Sequence, residues 1–516
     1  MSGTPTPVTP IDAPAAEITD RITGPRVRVD DALEARLRDV CAEVSVDDGE
    51  RAEAGRDWWP LAIRWAVRGS VPARPAVVVR PTDAGQVAGV LAACHDGRVP
   101  VTAVAGRSGV CGSSVPLFGG VSLDLCAMAG IVDVDTTSLL TQVLPGTFGP
   151  DLEADLRTHA VTLGHWPQSM ALSTVGGWVA CRGAGQYSTR YGKIEDMVTG
   201  LEVALADGRV IRTGGAGPRA ALGPDLSQLF VGSEGTLGVI TEAQLRLHPV
   251  APAEGRRAYS FTGFGEGLEV CRRILRRGAT PAVLRLYDQT ESARNFELAD
   301  QSALVVLDEA DEGLLGATLG VVDAECAAAG ARPLDEAVVE RWVGHKNDVS
   351  ALAPLYRAGI VVDTIEIAAR WSTLPGLYET CVAALLAIEG TLAASAHQSH
   401  AYVDGACLYF TFAGRMPEES SGAVESHTAA SEAAADAWAE SYYTTAWRVV
   451  MDAVRAHGGA ISHHHGVGIN RGRFLADALG GAFDVLVSLK EALDPRGILN
   501  PGKLGLPSPF GEARWP

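Results

Sequence analysis

Residues 173–185 read STVGGWVACRGAG, four glycines in thirteen residues around a single tryptophan. Two companions flank it: AGRSGVCGSS at 105–114 and GSEGTLGVI at 232–240. Glycine-rich loops beside strands and helices let backbone N–H groups approach a ligand closely, and successive N–H groups form anion-binding concavities. One such loop alone is as often a plain turn. Three within about 130 residues point to one extended ligand. No G-x-x-x-x-G-K-[ST] occurs, and no G-x-G-x-x-G stands between a strand and a helix with an acidic residue at the right distance.

Outward from these loops the texture is mixed. PAVVVRPTDAGQVAGVLAACHDGRVPVTAV predicts a strand at Val77–Arg80, a helix capped near Thr82 and a strand at Val99–Val104. LEVALADGRVIRT reads as a hairpin turning on Asp-Gly. Beyond residue 255, strands alternate with long Ala-rich helices until a run of three histidines, His463–His465, enters Gly466-Val467-Gly468. RDWWPLAIRW, an aromatic segment, is expected to pack on something larger. The organisation expected is α+β: a lead-in at 1–24 read as disordered, a helical segment at 25–74, a ligand-binding domain at 75–250, an inserted α/β module at 255–455, and a segment at 456–510 that returns to the first domain.

Lys+Arg 43 against Asp+Glu 62 gives a net charge of −19, which argues against nucleic acid or an anionic membrane as the main partner. Nine cysteines without a C-x-x-C pair indicate neither a disulfide framework nor a zinc ribbon. No apolar run is long enough to span a membrane, and no leader-like segment opens the chain, so a cytoplasmic protein is expected.

AGRSGVCG, STVGGW…YGKIEDMV, GSEGTLGVITE and the closing LDPRGILNPGK resemble the FAD-binding domain of the vanillyl-alcohol oxidase and p-cresol methylhydroxylase superfamily. GHWPQSM, AVLRLYDQ, SHAYVDGACLYFTF and SHHHGVG resemble the alkyldihydroxyacetonephosphate synthase family within it, the similarity running from about residue 75 to 503. The resemblance implies a two-subdomain FAD-binding domain, an inserted cap that receives substrate, and a C-terminal segment that completes the flavin site. It implies an FAD pyrophosphate on the backbone of Val104, Ala105, Gly106, Arg107, Ser108, Gly109 and Val110. Gln168, Ser169, Ser173, Thr174, Gly176, Gly177, Cys181, Arg182, Gly183, Ala184, Glu234, Gly235, Thr236, Gly238, Val239 and Ile240 are implied to line the rest. Some superfamily members tie FAD to a histidine in the first loop. This loop has none, so non-covalent FAD is expected.

In the synthase family the histidine run lines the substrate side of the flavin, and an imidazole takes a proton, as its titration range allows. A hydrogen-bonded core cluster is the competing reading of His463, His464 and His465. Consecutive side chains diverge, so only one or two can face a common ligand. Tyr409, in GACLYF, matches the family's catalytic tyrosine; core packing is its alternative. Arg285 sits inside an apolar strand, which calls for an anionic partner: a substrate phosphate or carboxylate, or an ion pair with Asp288 or another carboxylate. Related 2-hydroxy-acid dehydrogenases carry a metal on a G-D-G-N-x-H histidine. VDGACLYFTF has no histidine there, so no metal is expected.

One departure bears on substrate. Where the synthases carry a substrate-binding arginine, this chain reads KNDVSALAPLYRAGIVVDT, with Lys346 and Arg357 the nearest cations. The family's S-A-P-W is A-A-R-W, which introduces Arg370 as a second candidate for substrate binding. The function implied is a flavoenzyme acting on a small-molecule or lipid-like anionic substrate, by redox-neutral exchange of an acyl group for a fatty alcohol through a flavin N5 adduct. An FAD-dependent oxidase or dehydrogenase of a 2-hydroxy acid or alcohol is the alternative. The only protein partner expected is a second copy in a homodimer.

Overall fold

Three buried valines, Val77–Val79, form the strand from which the first sheet grows. It pairs in parallel with Val121–Asp124, which pairs in parallel with Val101–Val104, and Val44–Ser45 closes the other edge antiparallel. Continuous apolar runs suit strands covered on both faces. Asp83, one residue beyond the expected Thr82, caps the helix Ala84–Gly97 by accepting from the Gln86 N–H. A second sheet is antiparallel, in the order Val210–Gly214, Val198–Ala204, Val239–Arg246, Leu140–Val143, Ile131–Asp135. Its first two strands are the hairpin expected at Asp-Gly. This computed structural model describes residues 9–215, 217–348, 352–417 and 429–515.

The cap is a seven-stranded antiparallel sheet. Its order is Arg332–Leu334, Ala253–Phe261, Ser302–Ala310, Val283–Tyr287, Thr391–Ala401, Gly405–Arg415, Ile360–Arg370. Alternation along each strand separates two faces. Leu284, Leu286, Leu304, Val306, Ile365, Ile367, Leu408 and Phe410 share one core with residues of the helices Phe264–Arg276, Glu312–Ala328, Leu374–Leu386 and Ala429–Ala456. The opposite face is polar where it meets the first domain. Register sets Tyr287, His397, Tyr409 and Glu366 side by side across four strands. A bulge between Gln398 and His400 then puts His400 opposite Cys407, so His397 and His400 occupy the same face.

The expected disordered lead-in is corrected by the structure from Thr9 onward; residues 1–8 lie outside the described residues. Ile18 and Ile22 are buried, Thr19–Asp20 pairs with Ser70–Val71, and Arg21 grips Glu440 on the long helix of the cap. Two buried isoleucines and an ion pair order a segment whose Pro-Thr-Ala composition suggested none. Every residue of the helix Pro60–Ala66 is buried. Trp59, which precedes it, and Trp65 within it donate their indole N–H to Tyr443 and Glu440 of the same long helix. After residue 456 the chain returns to the first domain: Leu499 bridges Val101, and Asn500 donates to the carbonyls of Ser113 and Glu234.

Candidate active site

The three glycine loops, the polar face of the cap sheet and the histidine turn enclose one cavity of about 400 Å³. The first loop lines it from Val104 to Val110, and the second and third through residues including Ser173, Gly176, Gly177, Glu234, Gly235 and Gly238. Among the described residues, no backbone N–H from Gly106 to Ser113 finds an acceptor in the protein. Buried N–H groups are nearly always paired. A row of free ones around a concavity is a receptor for an anion.

The histidine turn is held by two buried carboxylates. Glu366, on the Ile360–Arg370 strand, accepts from the backbone N–H of His463 (2.5 Å) and of His465 (2.9 Å). It also accepts from Ser462 Oγ (3.0 Å) and Arg471 Nη1 (2.5 Å). Glu234, in the third loop, accepts from the N–H of Val467 (2.5 Å) and Gly468 (2.8 Å). The backbone must fold tightly to bring these amides round. Gly466 and Gly468 adopt φ of 76° and 53°, and a Cβ at Gly468 would stand 2.1 Å from the Cys111 carbonyl oxygen. The bend divides the run as side-chain divergence requires: His464 and His465 line the cavity, and His463 does not. His463 and His464 share a hydrogen bond between their Nδ1 atoms (3.0 Å), while His400 stacks on His463 with ring centres 5.0 Å apart.

These groups are poised by burial and by one another. Burial alone would raise Glu366, but Arg471, His465 and His463 beside it hold it down to about 2. Burial pushes His465 down to about 4 against the pull of Glu366. Burial also drives His464, His463 and His400 well below the imidazole range, helped by their neighbouring rings and Lys193. At neutral pH the cluster is therefore one carboxylate, one guanidinium and uncharged imidazoles. Tyr409 is raised by burial, so its phenol keeps its proton. Thr364 Oγ1 donates to the phenol oxygen (3.0 Å), which leaves the phenol's own hydrogen for another acceptor.

The chain matches the family described as FAD binding domain over residues 75–214 and that described as FAD linked oxidases, C-terminal domain, over 257–504. The chain belongs to the vanillyl-alcohol oxidase and p-cresol methylhydroxylase superfamily. Within this superfamily it is 29% identical over 450 residues to the uncharacterised FAD-linked oxidoreductase YgcU of Escherichia coli K12, covering 83% of this chain and 89% of the relative. It is 27% identical over 472 residues to the alkyldihydroxyacetonephosphate synthase of Dictyostelium discoideum, covering 84% and 74%. A solved alkyldihydroxyacetonephosphate synthase shares the fold, with a TM-score of 0.76 at 22% identity over 96% of this chain and 89% of that one.

FAD is the superfamily's cofactor and this chain's, and the unsatisfied amides of the first loop fit its pyrophosphate. Of the positions expected to line it, Arg182 and Thr236 do not reach the cavity. Arg182 ends the helix Val175–Cys181 in a left-handed turn and points to solvent toward Glu195. The Thr236 hydroxyl is turned back onto the Ser233 carbonyl. Arg370 is a further correction. It is the exposed last residue of its strand, beyond the point where Ala460 bridges Ala368, and does not line the cavity. Arg357 is spent outside as well, on Asp12. Residues 349–351 of the KNDVSAL segment lie outside the described residues.

Arg285 lines the cavity, but Asp288 is not its partner. Asp288 caps a helix and accepts from the Ala396 N–H and Tyr378. Sequence reasoning missed Glu366, His400, Asp363 and Thr364. Glu366 carried a usable signal: a carboxylate inside IVVDTIEIAAR, an otherwise apolar strand, needs several donors. Glu366, Cys407, His463 and His464 have ligand atoms within 4.8 Å of one another. That donor set is already committed, because Glu366 holds Arg471 and three further hydrogen bonds, so a cation there would have to displace a buried guanidinium. Among the described residues no helix is long and apolar enough to cross a membrane.

Proposed function

We propose that this protein is an FAD-dependent enzyme of alkyldihydroxyacetonephosphate-synthase-like chemistry acting on an amphipathic anionic substrate. The observation that carries this reading is the composition of this cavity. Free amides for a pyrophosphate, neutral imidazoles, a protonated phenol, an arginine without a carboxylate partner among the described residues and an apolar wall all open into it. FAD, when bound, supplies the two-electron centre of the chemistry. His464 or His465, uncharged at neutral pH, accepts a proton from the substrate. Tyr409 donates its free hydrogen to a substrate oxygen, and Arg285 binds the anionic group. Trp58, Pro60, Leu172, Leu352 and Val362 supply the apolar wall, which suits the aliphatic part of a lipid-like substrate.

A second reading, net oxidation of an alcohol or 2-hydroxy acid, is favoured by the same uncharged imidazoles, since a base that accepts a carbon-bound proton also accepts one from a hydroxyl. Anaerobic mixing of the holoenzyme with an acylated dihydroxyacetone phosphate and a long-chain alcohol, or with 2-hydroxy acids, separates the two. Product formed with flavin still oxidised supports exchange, and lasting bleaching supports oxidation. If neither class reacts, the proposed substrate chemistry is wrong. Non-covalent binding of FAD, the absence of a required metal and a homodimeric assembly belong to the same proposal.

A further inference from the structure

Arg285 is tied to the sheet through a chain that the proposed chemistry does not use. Its Nη2 lies 2.6 Å from His397 Nε2, and His397 Nδ1 lies 2.7 Å from Glu291 Oε2. A guanidinium only donates, so His397 Nε2 must be the acceptor and Nδ1 must carry the proton that Glu291 receives. The tautomer is thus set by both neighbours. Glu291, 1% exposed, is itself fixed: its other oxygen accepts from Ser395 Oγ (3.2 Å) and Thr411 Oγ1 (3.1 Å). Arg294 stands 3.5 Å from that same oxygen. The imidazole is held between the rings of Tyr287 and Tyr409, with centres 5.1 and 5.0 Å away.

The rest of the guanidinium has no acceptor among the described residues. Arg285 Nε is buried without a hydrogen-bond partner, and among the described residues no carboxylate forms an ion pair with Arg285. Its carbon lies 5.8 Å from the centres of both the Tyr287 and Trp342 rings, which restrict the plane from the sides. An arginine that lines the cavity, held through Nη2 and without a carboxylate partner among the described residues, is placed to donate to an oxyanion there.

We infer that Glu291 and His397 are positioning residues that hold Arg285 as a preformed receptor for an oxyanion, a carboxylate or a phosphate group, on the substrate side of the cavity. This rests on the anionic-substrate reading and adds the residues that build the receptor.

Calorimetric titration of the FAD-loaded protein with inorganic phosphate, and separately with acetate, tests it. Wild type should bind at least one at a single site. Phosphate alone indicates a phosphorylated substrate, and acetate alone a carboxylate. His397→Phe keeps a ring between the two tyrosines but removes both hydrogen bonds, and should weaken binding about tenfold or more while the visible flavin spectrum is unchanged. Glu291→Gln should weaken it in the same direction. His397→Gln, which can still accept from Arg285 and donate to Glu291, should stay within about threefold of wild type. If wild type binds neither anion, the anionic-substrate reading falls together with this one. If wild type binds but His397→Phe and Glu291→Gln match it, only the positioning role is overturned. Equal loss in folded His397→Gln and His397→Phe also overturns it, and Glu291→Gln decides if His397→Phe does not fold.

Discussion

Glu366→Gln changes one atom and tests how the histidine turn is built. Glu366 and Arg471 are both fully buried, 2.5 Å apart. Removing the charge from one partner of such a pair costs about 3–5 kcal/mol, because the other charge stays buried and unpaired. The depression of Glu366 from 4.5 to about 2 gives a similar figure, about 3 kcal/mol. The glutamine amide must also turn an N–H toward a set of four donors, so at least one of Ser462, His463, His465 and Arg471 loses its acceptor. At about 2.1 cal/mol/K per residue, 516 residues unfolding together gain an entropy of about 1.1 kcal/mol/K, so the variant should melt about 3–5 °C lower. The three glycine loops do not depend on Glu366, so FAD content should stay at wild type. Turnover should fall about 10²-fold or more as His464 and His465 lose their aim. Flavin fluorescence during a thermal ramp, with FAD content and turnover on the same sample, measures all three. A variant that melts within about 1 °C of wild type and turns over normally would refute the claim that this carboxylate organises the turn.

Acid should destabilise the protein in two stages. A free imidazole binds a proton near 6.5 while folded His465 refuses it until about 4, so its share of stability is present above 6.5 and falls as pH drops toward 4. Glu366, held to about 2, contributes above 4.5 and loses that contribution as pH falls toward 2; a melting temperature that rises from pH 7 to 4 would contradict the first assignment, and one that rises from pH 4 to 2 the second. The acidic limb of the pH–rate profile should lie below pH 5 rather than at 6 to 7, and His464→Ala or His465→Ala, but not His463→Ala, should remove it with FAD retained. Tyr409→Phe should keep FAD and the fold yet lose about 10²-fold in turnover, since it deletes the phenol hydroxyl, both its free hydrogen and the oxygen that accepts from Thr364. Acid or heat should release intact FAD into the supernatant, and a chelator should leave turnover unchanged; flavin that stays on the polypeptide, or activity restored only by added metal, would contradict those two expectations.

Much of the site was legible in the chain because glycine and histidine patterns are local. The three loops, the hairpin at Asp-Gly and the bend after His465 each follow from what a short backbone segment permits. Divergence of neighbouring side chains likewise required the three histidines to part. Tertiary structure decided which of them face the cavity, because the turn is stapled by Glu366 and Glu234, which lie 97 and 233 residues away from the amides they hold. The same distinction explains Arg285 and Arg370. Both are arginines in strands, and nothing local separates them. Strand register and burial put one beneath the cavity beside His397 and left the other at an exposed strand end. The lead-in shows it once more: composition described a chain that need not fold, and a cap helix more than 400 residues distant supplied the ion-pair partner that orders it. Local backbone chemistry is written in neighbouring residues. The partners of a buried charge are chosen by register and packing between segments far apart, and that choice exists only in the folded chain.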